Sequence, residues 1–344
     1  MARYDGTSGN DTHQADADID LIYGNAGNDL LRAGAGADTV DGGEGDDELH
    51  GEAGDDTMRG GNGSDKLDGG DGNDTLDLGG GSNVAAGGAG ADVIRVNADR
   101  ASVQRIDGGD GDDKVDIAYT TATKLLGGAG VDSLGIGNYI YLSQFDASNG
   151  FERLHAGGGV HGDAGANVLD FSGLTVMAGS SGMTLHGEDG DDRLVGTTAS
   201  DTLNGGIGND RLTGGAGRDI LRGGDGSDRI AGDDGDDDIT GGAGDDVIAG
   251  GLGKDAIDSD AGNDEVDGGA DDDSIRDNGG SNLLLGGAGN DRIEASGSLA
   301  KGDTNNINAG DGDDLVSLSG GTVSRLLGGA GVDTLAIHVL TMNR

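Results

Sequence analysis

The chain has 344 residues, 65 acidic and 21 basic, for a formal net charge of -44, with 77 glycines and no proline or cysteine. Without a basic stripe there is nothing to displace phosphate counterions, which excludes nucleic acid as a partner; without cysteine there is no disulfide framework and no thiolate zinc site. No run of about 18 apolar residues is present to span a membrane, so divalent cations are the obvious partner, and self-repulsion is expected to keep the metal-free chain unfolded.

Residues 1–95 form a first repetitive segment. From residue 6 onward it reads as ten nine-residue units in one register, with Asp29, Asp38, Asp47, Asp56, Asp65, Asp74 and Asp92 recurring at the sixth place. Its start, residues 6–23, is ragged, and Asn83 takes the aspartate's place near its end. Residues 96–136 break the period with β-forming stretches such as Ile117 to Leu126, which predict longer strands. The period resumes with GGDGDDKVD at Gly108, where Asp112 is the candidate ligand.

Residues 137–186 hold all three phenylalanines, Phe145, Phe151 and Phe171, together with Tyr139 and Tyr141. Two readings stand side by side: a thicker hydrophobic segment of the same architecture, or an aromatic face for sugars. The histidines are scattered and none begins an HExxH zinc motif.

Residues 187–294 carry twelve uninterrupted units, such as GGIGNDRLT from Gly205. Glycine falls at places one, two and four, and a branched aliphatic at place eight runs from Leu194 to Ile293 without exception. Place six holds Asp192, Asp201, Asp210, Asp219, Asp228, Asp237, Asp246, Asp255, Asp264, Asp273 and Asp291, broken by Asn282, while Asp271 replaces a turn glycine. Residues 295–344 complete a second copy of the irregular block: LLGGAGVDSLGI from Leu125 recurs as LLGGAGVDTLAI from Leu326, and GDGDDKVD from Gly109 as GDGDDLVS from Gly310, where Asp313 is the candidate ligand.

A nine-residue period is too short for a helical repeat and fits one turn plus one short strand of a parallel β-solenoid. Asp201-x-Leu203, then Gly208-x-Asp210-x-Leu212-x-Gly214-Gly215 and Asp219, closely resembles the repeats-in-toxin (RTX) family of secreted calcium-binding proteins. That resemblance implies an all-β fold, a parallel β-roll or β-helix solenoid of GGxGxDxUx repeats with two nonapeptides per coil, so that alternate units stack. It also implies type I secretion read from the C-terminal end of an unfolded chain. The N-terminus, MARYDGTSGNDT, lacks the basic region and apolar stretch of a signal peptide.

Stacked turns supply carbonyls and carboxylates together, as calcium's six to eight oxygen ligands require. One ion between units i and i+2 gives roughly 18 ions over the two arrays, within an expected 10–20. Apolar burial alone is too small to order each unit, so folding is expected to depend on binding.

No cap is legible at either end, which leaves three explanations: a piece of a longer protein, an unfamiliar cap, or ends that pair with other copies. The expected function is a secreted, non-enzymatic calcium-binding protein of a bacterial surface. It would fold into a β-roll rod and assemble end to end in a surface layer, filament or matrix. The alternatives are a polysaccharide-binding adhesin module, or the calcium-dependent C-terminal part of a secreted enzyme.

Overall fold

The computed structural model describes residues 1–98, 101–297, 303–320 and 322–338. It is all-β, with one short 3-10 turn at Ala147–Asn149 and no α-helix among the described residues. The chain divides into two compact units, one of residues 1–161 with 173–180 and the other of residues 162–172 with 181–344.

In the first unit a ten-stranded parallel sheet runs from Ala2–Asp5 to Thr175–Val176, and the alternate strands, from Thr12–Gln14 to Gly159–His161, form a second parallel sheet. In the second unit the same alternation produces one sheet from Val168–Asp170 to Thr322–Ala330 and another from Thr184–Asp189 to Thr334–His338. Registers confirm the coil of two nonapeptides. Thr202 pairs with Ile220, and Ile220 with Asp238, each 18 residues on.

The aliphatic at place eight explains why these strands close into a roll. Side chains alternate across a strand, so one residue per short strand points inward. Leu203, Leu221 and Ile239 are completely buried, and so are their counterparts Leu31 and Leu49 in the first unit.

The irregular blocks are longer coils of the same kind. Val84 pairs with Arg105 and Arg105 with Lys124, offsets of 21 and 19, with a register shift between Gln104 and Arg105. In the duplicate, Leu283 pairs with Asn306 and Asn306 with Arg325, offsets of 23 and 19, and the shift recurs between Asn305 and Asn306. The repeat in sequence is thus also a repeat of a bulge. The end of the second block, residues 339–344, lies outside the described residues.

Of the two readings for residues 137–186, the hydrophobic one describes the phenylalanines. Phe145, Phe151 and Phe171 are at most 5% exposed, and the rings of Phe145 and Phe151 stack with centroids 6.3 Å apart. Tyr139 is the exposed aromatic of the segment, at 53%.

Candidate metal centre

Glycines shape the turn before any ligand is considered. Gly206 at place two and Gly208 at place four have φ of 112° and 150°, in the left-handed region where a Cβ is strained. Side chains there would also strike the carbonyls of Glu188 and Gly190 in the preceding coil. Asp271, standing where a glycine is expected, still adopts φ of 77°, a conformation aspartate tolerates better than most residues. Place-one glycines act differently. A Cβ on Gly205 would collide with Oδ2 of Asp210 and with the carbonyl oxygen of Gly223 in the next coil. Glycine there keeps open a cradle lined by a carboxylate and a carbonyl.

The place-six aspartates form ladders. The backbone N–H of one donates to the side-chain oxygen of its counterpart one coil on, as in Asp210 to Oδ1 of Asp228 at 2.7 Å, Asp228 to Asp246 at 2.8 Å, and Asp38 to Asp56 at 2.7 Å. One carboxylate oxygen is thereby spent on the backbone. The other, Oδ2, is buried in the turn with no hydrogen-bond partner in twenty aspartates among the described residues.

Most of the expected ligands belong to this set. In the first unit they are Asp29, Asp38, Asp47, Asp56, Asp65, Asp74 and Asp92. In the second they are Asp192, Asp210, Asp219, Asp228, Asp237, Asp246, Asp255, Asp264, Asp273 and Asp291.

Three expected ligands do not. Asp112 and Asp313 are exposed at place five, and their Oδ1 atoms accept from the N–H of Val131 at 3.0 Å and of Val332 at 2.8 Å. The buried positions belong to their neighbours Asp113 and Asp314, because the nine-residue register counts the second aspartate of each Asp-Asp pair. Asp201 is buried, but its Oδ2 accepts from the N–H and Oγ1 of Thr197 at 2.5 and 3.0 Å. Asp132, place six of GGAGVDSLG, completes the set and follows from the same rule.

Burial makes many of these carboxylates poorer anions than free aspartate. Burial pushes the Asp219 and Asp246 carboxyls up to about 7; the donated N–H opposes that shift, and the stacked aspartates of adjacent coils reinforce it. Asp56 and Asp273 are raised to about 7 and Asp210 to about 6 for the same reasons. Buried, unpaired carboxylate oxygens beside inward carbonyls are costly alone, and they are the hard oxygen donors that calcium takes. Among the described residues no three acidic or histidine side chains cluster. Each cradle instead joins a single carboxylate to backbone oxygens, so the donor set fits calcium, which the turn carbonyls and Asp Oδ2 would hold.

The family model for the RTX calcium-binding nonapeptide repeat (4 copies) matches residues 5–40, 32–67, 41–76, 77–100, 186–221, 222–257 and 258–293. No curated protein matches the chain. Among solved structures, similarity is found to a hyperactive, Ca2+-dependent, beta-helical antifreeze protein from an Antarctic bacterium, at 16% identity and a TM-score of 0.20, over 98% of this chain and 88% of that one.

Proposed function

The chain belongs to the RTX calcium-binding nonapeptide repeat family, and from that premise we propose that it is a secreted structural protein whose β-roll winds up on meeting extracellular calcium. The observation that carries this reading is the set of twenty buried aspartate Oδ2 atoms with no hydrogen-bond partner. An acceptor facing other acceptors needs a cation between them. One divalent ion per such oxygen would bring about +40 against a chain charge of -44. Calcium therefore removes the self-repulsion that opposes the compact state, and binding free energy becomes folding free energy.

Regular spacing of the acids supports a non-catalytic role, since one repeating geometry accounts for them. The place of action is the outside of a bacterial cell, where calcium is plentiful. There the β-roll serves as a surface or matrix element, and copies associate through the last described coil. Leu335 and Ile337 in that coil are 48% and 63% exposed, whereas their sequence duplicates Leu134 and Ile136 in the first unit are 0% and 1% exposed. These exposed aliphatics are the apolar surface through which, on this reading, a second copy docks.

Sedimentation velocity with calcium and with chelator tests the assembly. Larger species that appear with calcium and vanish in Leu335→Asp support it. Monomers at every concentration would remove the assembly from the proposal and leave the calcium-driven fold. Antibody detection in culture fluid and on the surface of the producing cells tests secretion, and a signal confined to the cytoplasm contradicts it.

A further inference from the structure

Three turns at the start of a ladder satisfy their place-six side chain without a cation; Asn83 does so too, late in its ladder, its Nδ2 donating to the carbonyls of Leu78 at 3.1 Å and Gly80 at 3.4 Å. In the Gly162 unit, Asn167 occupies place six, and its Nδ2 donates to the carbonyls of Gly165 at 2.6 Å, Asp163 at 3.1 Å and Gly187 at 3.1 Å, and to Oδ1 of Asp192 at 2.9 Å. These carbonyls belong to places two and four of its own unit and to place one of the next coil. A Cβ on Gly162 would strike Asn167 Nδ2 and the Gly187 carbonyl, just as a Cβ on Gly187 would strike Asp192 Oδ2 and the Gly205 carbonyl. The amide nitrogen therefore sits where the carboxylate oxygen sits one coil later. An oxygen there needs a cation to bridge it to the carbonyls, whereas an N–H donor bonds them directly.

Threonine at place two reaches the same end by another route. Thr197 turns its N–H and hydroxyl onto Asp201 Oδ2, at 2.5 and 3.0 Å. In the first unit Thr7 does the same to Asp11 Oδ2, again at 2.5 and 3.0 Å. Each ladder then continues into aspartates with partnerless Oδ2 atoms: Asn167 into Asp192, Asp201 into Asp219, and Asp11 into Asp29.

We propose that the turns of Asn167, Thr197–Asp201 and Thr7–Asp11 are ion-free caps, in which the chain's own N–H and O–H groups take the place of the calcium ion. The inference rests on the calcium reading above and goes beyond it, because it says which repeats hold no metal although their sequences keep the repeat. It gives each of these ladders a first coil that needs no calcium, a template on which the calcium-dependent coils can wind.

Native mass spectrometry of the full chain, which counts bound ions singly, tests it. Asn167→Asp is expected to bind one calcium more than wild type. Thr197→Gly should also bind one more, because it removes the hydroxyl donor and lets place two take the left-handed φ that Gly206 has, which turns the backbone N–H away from Asp201. Asn167→Ala should weaken folding with no loss of calcium. Circular dichroism in saturating calcium shows whether each variant is folded. Unchanged counts in folded Asn167→Asp and Thr197→Gly chains overturn this inference alone, as does a folded Asn167→Ala chain that loses an ion. A wild-type count of zero overturns the calcium reading and the inference with it.

Discussion

The backbone N–H of Asp201 donates to Oδ1 of Asp219 at 2.7 Å, across one coil, while Oδ2 of Asp219 is buried with no hydrogen-bond partner. The two oxygens of one carboxylate are thus differently placed, one in the ladder and one without a partner, and on the proposed calcium reading the second faces the cation. Asp219→Asn keeps the ladder acceptor and removes the anion, so it should lose one calcium and fold in excess calcium. Asp219→Ala also orphans the Asp201 N–H, which should cost about 1–3 kcal/mol more. Urea unfolding of both variants in saturating calcium measures the difference, and equal stabilities would deny Oδ1 its role.

Acid should partly replace calcium. The carboxyls of Asp56, Asp219, Asp246 and Asp273 are raised to about 7 from an ordinary value of 3.8. Between those values the metal-free folded chain binds more protons than the unfolded chain. Its stability therefore rises as pH falls through about 7 toward 4, and is lost as pH rises. Calcium affinity should move the opposite way, because protons compete for the same oxygens. In chelator, the far-ultraviolet β signal should grow from pH 8 to pH 5; a signal that shrinks over that range contradicts the burial of these carboxyls.

Gly205→Ala separates the cradle from the turn. Gly205 has no left-handed φ to lose, but its new Cβ would press on Asp210 Oδ2 and the Gly223 carbonyl. Loss of one calcium and about 1–3 kcal/mol of overpacking is expected. A calcium count equal to wild type would show that this space does not serve the ion.

Leu221→Ala tests the core without touching a ligand. Leu221 is fully buried, and its truncation should cost about 2–5 kcal/mol with the calcium count at saturation unchanged. A lower count would mean that core and cradle are not separable in this way.

Much of the architecture is legible in the sequence because the nine-residue period carries its own geometry. Aspartate at place six and an aliphatic at place eight specify which side chains enter the turn and which enter the core. The pattern is ambiguous where two residues compete for one place. In Asp112-Asp113 and Asp313-Asp314 chemistry alone cannot rank identical neighbours, and only the register puts the second member inside. Asp201 kept the consensus and still lost its free oxygen, because the rule is silent on what a threonine at place two does. The division into two units inside residues 137–186 had no sequence mark of its own, since a buried phenylalanine such as Phe171 and an exposed tyrosine such as Tyr139 look alike in a pattern of aromatics.

The most direct test of calcium-driven folding is one titration of metal-free protein at pH 7.5, followed at once by circular dichroism and by bound calcium. The structure predicts a cooperative rise in β signal that tracks the uptake of on the order of twenty ions per chain, and its reversal by chelator. A β spectrum already complete in excess chelator, or complete folding with only a few ions bound, would contradict it.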